Sequence, residues 1–182
     1  MCARTRLVTL ALLPLAGCAG ITTPIITSST VFEVEYVNFA WVPTWRGFAI
    51  DSTGTISRYD LRGQPWQPKD EELPTRAELA AKHHTNAVPV GSVGDAELQA
   101  MQERAGPAAA GPLSAPQYGC ADAGTVTYSV YLLDAGRGGY RRVVLRREGD
   151  IAQLNQSAPG RALADWLRTL QLLPTIDGCQ PS

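Results

Sequence analysis

Thr125-Val126-Thr127-Tyr128-Ser129-Val130-Tyr131-Leu132-Leu133, then Asp134-Ala135-Gly136-Arg137-Gly138-Gly139, then Tyr140-Arg141-Arg142-Val143-Val144-Leu145-Arg146-Arg147, is the most strongly patterned stretch of the chain. β-Branched and aromatic residues fill both arms, and glycines fill the middle. That pattern reads as strand, turn and returning strand. Gly149-Asp150 breaks the second arm. Gly136 to Gly139 is therefore a hairpin turn and not a phosphate loop, which must open a helix whose amides face the anion.

Beyond this hairpin, Pro159 suits the first turn of a helix, with Ser157 or Ala158 before it. Ala162, Leu163, Trp166, Leu167 and Leu170 then recur at helical spacing. Toward the N-terminus, Val31 to Val42 reads as a strand and Trp45 to Asp60 as a second hairpin. Its turn is Asp51-Ser52-Thr53-Gly54, where the carboxylate can bond backbone amides and glycine tolerates positive φ. Leu61 to Pro74 holds three prolines and reads as a surface loop. Thr75-Arg76-Ala77-Glu78 has the capping-box pattern and opens a helix continued by Leu79, Ala80 and His83. Asp95 can cap another helix, Ala96 to Ala105, ended by Gly106-Pro107. Gly106 to Pro116 is rich in alanine, glycine and proline and is expected to be mobile.

This order predicts an α+β fold: an antiparallel sheet of about four to five strands, built from two hairpins, with two to three helices packed on one face. Each hairpin ends in an aspartate, Asp60 or Asp150, followed by a polar stretch and a helix, a loose match to a duplicated ββα unit.

Arg4 and Arg6 precede an apolar run, Leu7 to Leu15, which is too short to span a bilayer as a helix. The run ends in Leu15-Ala16-Gly17-Cys18. This segment resembles the signal and lipobox of bacterial lipoproteins. The resemblance implies cleavage before Cys18, a diacylglyceryl group on its sulfur and acylation of the new amine. Two or three acyl chains hold a protein stably where one does not. Ala19 rather than Asp after the cysteine points, through the same resemblance, to the outer membrane. The chain then divides into a signal peptide over 1–17, a lipidated tether over 18–30 and one domain over 31–182.

Without the signal, the 182 residues become 165, and 14 basic residues face 17 acidic ones, a net charge of −3. That balance is no footprint for nucleic acid. Of the four cysteines, Cys2 leaves with the signal and Cys18 takes lipid. Cys120 and Cys179 remain as an even pair in an oxidising compartment, where a disulfide would close a loop of about 59 residues. Such a bridge contributes roughly 4 kcal/mol in the chain-entropy model.

No residues stand out as catalytic, metal-binding or cofactor-binding. His83-His84 point about 100° apart on a helix and cannot chelate one metal as an i, i+4 pair does. Nucleophile elbow, Walker loop and Cys–His couple are missing from the sequence. Asp70-Glu71-Glu72 lacks calcium-loop spacing. On a regular strand, Arg142 and Arg146 share one face, a basic ridge that could dock an acidic partner or anionic glycan, or pair with Glu148 and cross-strand acids. Trp41, Trp45, Phe48, Tyr59 and Trp66 read mainly as core, with Trp66 the exception because its loop is polar. Trp66, Arg142 and Arg146 are thus the residues expected on a partner surface. The functional expectation is an outer-membrane-anchored periplasmic lipoprotein. It is read as a non-enzymatic protein-binding module of the inhibitor, immunity or envelope-assembly type. It would use no cofactor, touch the membrane only through lipid on Cys18, and bind an envelope protein rather than nucleic acid. The alternative is a small-ligand binder or an enzyme acting on cell-wall material.

Overall fold

The computed structural model describes residues 30–173. The lipobox, most of the tether and Cys179 lie outside the described residues. Eight strands and three helices follow in the order β1 (Thr30–Asn38), β2 (Thr44–Ile50), β3 (Thr55–Asp60), α1 (Arg76–His84), β4 (Val88–Ser92), α2 (Asp95–Ala109), β5 (Gln117–Tyr118), β6 (Thr125–Asp134), β7 (Gly139–Gly149), β8 (Ile151–Leu154) and α3 (Ala158–Thr169). The strands form one antiparallel sheet in the order β4-β3-β2-β1-β6-β7-β8-β5. The chain is α+β, as its hairpins and capping signals predict.

β1 and β6 lie side by side at the centre, with Val31 opposite Tyr131 and Val34 opposite Tyr128. Successive side chains on a strand point to opposite faces. Phe32 and Val34 of β1 join Val126, Val130 and Leu145 on one face, beneath α2 and α3. There Leu163, Ala164 and Leu167 pack with Ala105 and Ala108. Trp166 meets Phe32 edge-on at 5.0 Å and donates from Nε1 to Glu97 at 2.7 Å, which ties α3 to α2. The opposite face carries α1, whose Leu79 packs with Tyr131 and Tyr140.

Several expectations need correction. The sheet has eight strands rather than about four to five, because β4, β5 and β8 lack the signals by which a strand is read. Pro89 and Gly91 sit inside β4, residues a strand disfavours except at an edge, and β5 is two residues long. The helices are not confined to one face, and α1 lies opposite α2 and α3. That also separates the two hairpin–helix units, whose helices α1 and α3 cover different faces. Finally, α2 runs through Gly106-Pro107 to Ala109. Ala105 and Ala108 are fully buried in the core shared with α3, so packing holds a turn that local propensity disfavours. The segment after it, expected to be mobile, is tied to β8. Ser114 N donates to Leu154 O at 2.9 Å, and Leu154 N donates to Ser114 Oγ at 3.0 Å.

Other signals hold. Thr75 Oγ1 accepts from Glu78 N at 3.2 Å, and Glu78 Oε2 accepts from Thr75 N at 2.8 Å, the reciprocal bonds of a capping box. Glu78 also accepts from the backbone N–H of Lys69. These two backbone donors, with the Thr75 hydroxyl, hold its carboxyl down to about 2. Ser157 caps α3 and Pro159 stands in its first turn.

Candidate functional site

Glu33 and Glu35 stand two apart on β1, so both carboxylates rise from the face under α1. Both are buried, Glu33 completely. The register aligns Glu35, Gly47 and Tyr59 in one row across β1, β2 and β3, and Glu33, Ala49 and Ser57 in the next. Gly47 has no side chain, and the Tyr59 ring lies across it. A Cβ there would stand 2.5 Å from Val34 O and 2.6 Å from Tyr59 Oη. Tyr59 Oη thereby reaches Glu33 Oε1 at 2.9 Å and Glu35 Oε2 at 3.2 Å.

The remaining partners arrive from four directions. α1 supplies Lys82, whose Nζ lies 2.8 Å from Glu33 Oε1 and 2.5 Å from Glu35 Oε2. These are ion-pair contacts without hydrogen-bond alignment. α1 also supplies His83, with Nε2 at 2.8 Å from Glu33 Oε1. β6 supplies Tyr131, which donates to Glu33 Oε2 at 3.1 Å. Arg142 of β7 bonds Glu35 Oε1 at 2.9 Å and approaches Glu33 Oε2 at 3.4 Å. Trp45 Nε1 of β2 donates to Glu35 Oε2 at 2.6 Å. The Trp66 ring closes over Lys82, 4.6 Å from Nζ to centroid, a cation–π contact.

All four carboxylate oxygens are therefore engaged. Taking each ion out of water costs several kcal/mol, offset only when geometry and extra hydrogen bonds are good. Burial alone would raise the pKa of Glu33. Lys82, the His83 hydrogen bond and Arg142 together outweigh it and hold Glu33 well below the usual carboxylate range. Glu35 is lowered too: burial and the Glu33 charge push up, and Arg142 and Lys82 push down harder. Burial, then the Glu33 charge, pushes the Tyr59 and Tyr131 phenols well above 10, so both remain donors. Two carboxylates thus face one ammonium, from Lys82, and one guanidinium, from Arg142.

Beside this centre, α1 and the β1–β2–β3 face border a half-open cavity of about 170 Å³. His83 and His84 both line it. His83 is thus held by a carboxylate on one nitrogen and lines the cavity with the rest of its ring. Among the described residues, no group of three or more His, Cys, Asp and Glu could hold a metal ion.

The structure does not join the three residues expected on a partner surface. Trp66 is half-buried over Lys82. Arg142 belongs to the charge centre. Arg146 leaves that face, because Tyr128 pairs with Arg146 and the next residue, Ser129, with Val144. Leu145 is the extra residue of a bulge, and beyond it the side chains change faces. Arg146 pairs instead with Glu148, which also meets Arg168 of α3 at 3.2 Å. Trp41, expected in the core, is instead 80% exposed, whereas Phe48 and Tyr59 are core as expected. Cys120 lies partly buried between β5 and β6. Sequence reasoning missed Glu33, Glu35 and Lys82. The available signal was a pair of glutamates alternating with Phe32, Val34 and Tyr36 on a strand that becomes central.

No family model matches the chain, and no curated protein or solved structure matches it either.

Proposed function

We propose that this chain is an outer-membrane-anchored periplasmic lipoprotein whose domain is a non-enzymatic protein-binding module, docking through the tip between β1 and β2. One observation carries the reading: Phe39-Ala40-Trp41-Val42-Pro43 presents an apolar tip, with Trp41 80% and Val42 75% exposed. The tip is held in shape. Asn38 Oδ1 accepts from Ala40 N at 2.8 Å, and Asn38 Nδ2 donates to Asp122 O at 3.1 Å. Phe39 meets Trp45 edge-on at 5.9 Å. Gly63 packs so closely on Pro43 that a Cβ would stand 2.7 Å from Pro43 Cβ. Tryptophan is the residue type that anchors interfaces, and a backbone braced on both sides of it lowers the entropy cost of binding.

Position favours a protein over the lipid surface. β1 starts at Thr30, where the tether joins the domain, and runs away from it to the tip at Asn38. At about 3.3 Å per residue the two ends are roughly 26 Å apart. A lipid-inserting tip belongs at the anchored end. A partner protein with an apolar cleft suits the far end.

The test places a photo-crosslinking amino acid at position 41 of the full lipidated chain, with exposed Arg104 of α2 as control. Irradiated envelopes should give a discrete protein adduct from position 41 only. With that protein purified, Trp41→Ala should weaken binding about thirtyfold, ~2 kcal/mol. Adducts to phospholipid alone, or equal adducts from both positions, would reject the docking tip. Cys18→Ala should release the chain from membranes, and its retention there would reject the anchor.

A further inference from the structure

We infer that the wedge between α1 and the β1–β2–β3 face is a binding site for a small amphipathic carboxylate carrying an N–H or O–H donor. The inference is independent of the docking tip, which lies at the other end of β1.

The wedge exists because small residues meet there. Ala49 of β2 and Ser57 of β3 occupy the sheet row beside Glu33, and Ala80 of α1 faces them across the cavity. Its volume of about 170 Å³ corresponds to about six displaced waters at about 30 Å³ each, and its open side lets a ligand extend beyond it. Leu79, Ala49 and Val31 give it an apolar lining. A purely hydrocarbon ligand would nevertheless leave its polar groups unused.

Two of those groups select the ligand. His83 is 8% exposed and fixed through Nε2 on Glu33. Its other nitrogen, Nδ1, has no partner among the described residues and is not sealed from solvent. The Glu33 carboxylate can only accept, so Nε2 carries the hydrogen of that bond and Nδ1 is the nitrogen left to accept from a ligand. It calls for a donor on the ligand. Arg76, the first residue of α1, lines the wedge, is exposed and forms no ion pair among the described residues. Its guanidinium calls for a carboxylate. The acidic group in the lining, Asp51, spends Oδ1 on the amides of Thr53 and Thr55 within its own turn. His84 and Tyr140 are the remaining titratable groups in the lining. The ligand is therefore compact, with an apolar body, a donor directed at His83 and a carboxylate at Arg76.

N-acetylalanine has this composition and serves as the probe, in both stereochemical forms. The chain has only two histidines, so imidazole NMR of the full chain in micelles gives two ring systems, separated by His84→Gln. The His83 resonances should shift saturably, with half-saturation near ~1 mM, as expected of a ligand this small. N-acetylalaninamide, without the carboxylate, and propionate, without the donor, should each bind at least tenfold more weakly. Ala80→Leu, which fills the wedge from a helix that accepts leucine, should abolish the shift while the amide spectrum stays folded. Arg76→Gln, at an exposed position, should weaken the probe about tenfold, so the test does not depend on one variant folding. The proposal falls if no saturable shift occurs up to about 10 mM, if the neutral amide binds as well, or if Ala80→Leu responds like the wild type.

Discussion

Lys82 balances the charge beneath α1, and it is one of only two lysines in the chain. Replacing it with methionine keeps the length of its stem but leaves two buried carboxylates facing Arg142 alone. Breaking a buried ion pair from one side typically costs ~3–5 kcal/mol, because the unpaired charge stays buried. Lys82→Met should lower the urea midpoint accordingly. Adding Glu33→Gln restores the formal balance, with Glu35 facing Arg142. The double variant should recover part of the loss, with a coupling of about 1–3 kcal/mol. Strict additivity in that cycle would mean that Lys82 and Glu33 do not stabilise one another. The residues concerned are individually unremarkable in the sequence, since glutamate on a strand and lysine on a helix ordinarily face water.

At the scale of elements, the centre depends on a missing side chain and an extra residue. Gly47 lets Tyr59 lie across β2 to reach β1. Gly47→Ala would force its Cβ into the Val34 carbonyl and the Tyr59 hydroxyl, so the strand or the ring must shift. The cost should be about 1–3 kcal/mol, as for other overpacked interiors. It should show as a lowered melting temperature and a changed Tyr59 environment in near-ultraviolet circular dichroism. A variant as stable as the parent would show that the ring is free to move. The extra residue is Leu145, whose bulge sends Arg142 to the charge centre and Arg146 to the α3 side. Spacing alone predicts a shared face for those arginines, because period-two alternation holds only for an uninterrupted strand.

For the whole molecule, the carboxylates set an acid limit and the phenols an alkaline one. Glu33 and Glu35 have folded pKa values below their ordinary ones. The folded state then binds fewer protons than the unfolded chain in acid. Their contribution is fully present above the unfolded value, about 4.3, and is lost as pH falls below it. Tyr59 and Tyr131 are shifted upward, so their contribution is present below about 10 and lost as pH rises beyond. The urea midpoint should fall as pH drops below the acid limit and again as it rises beyond the alkaline one. In the Lys82→Met, Glu33→Gln double variant the acid limb should be shallower. An unchanged acid limb would assign acid unfolding to other carboxylates.

Local signals in the sequence determined the two hairpins, the capping box at Thr75, the helix opened by Ser157-Ala158-Pro159 and the α+β class, because each depends on residues within a few positions of one another. Residues near the N-terminus alone motivate the expectation of a lipid anchor at Cys18. Only the tertiary structure decided that β1 lies beside β6, that α1 covers the opposite face from α2 and α3, and that β4, β5 and β8 complete the sheet. It alone brought Glu33, Glu35, Lys82, His83 and Arg142 together, from two strands and a helix as many as 109 positions apart in the chain. The physical reason is burial. A strand's alternation shows that Glu33 and Glu35 share a face, but whether that face meets water or a helix depends on what the rest of the chain lays over it.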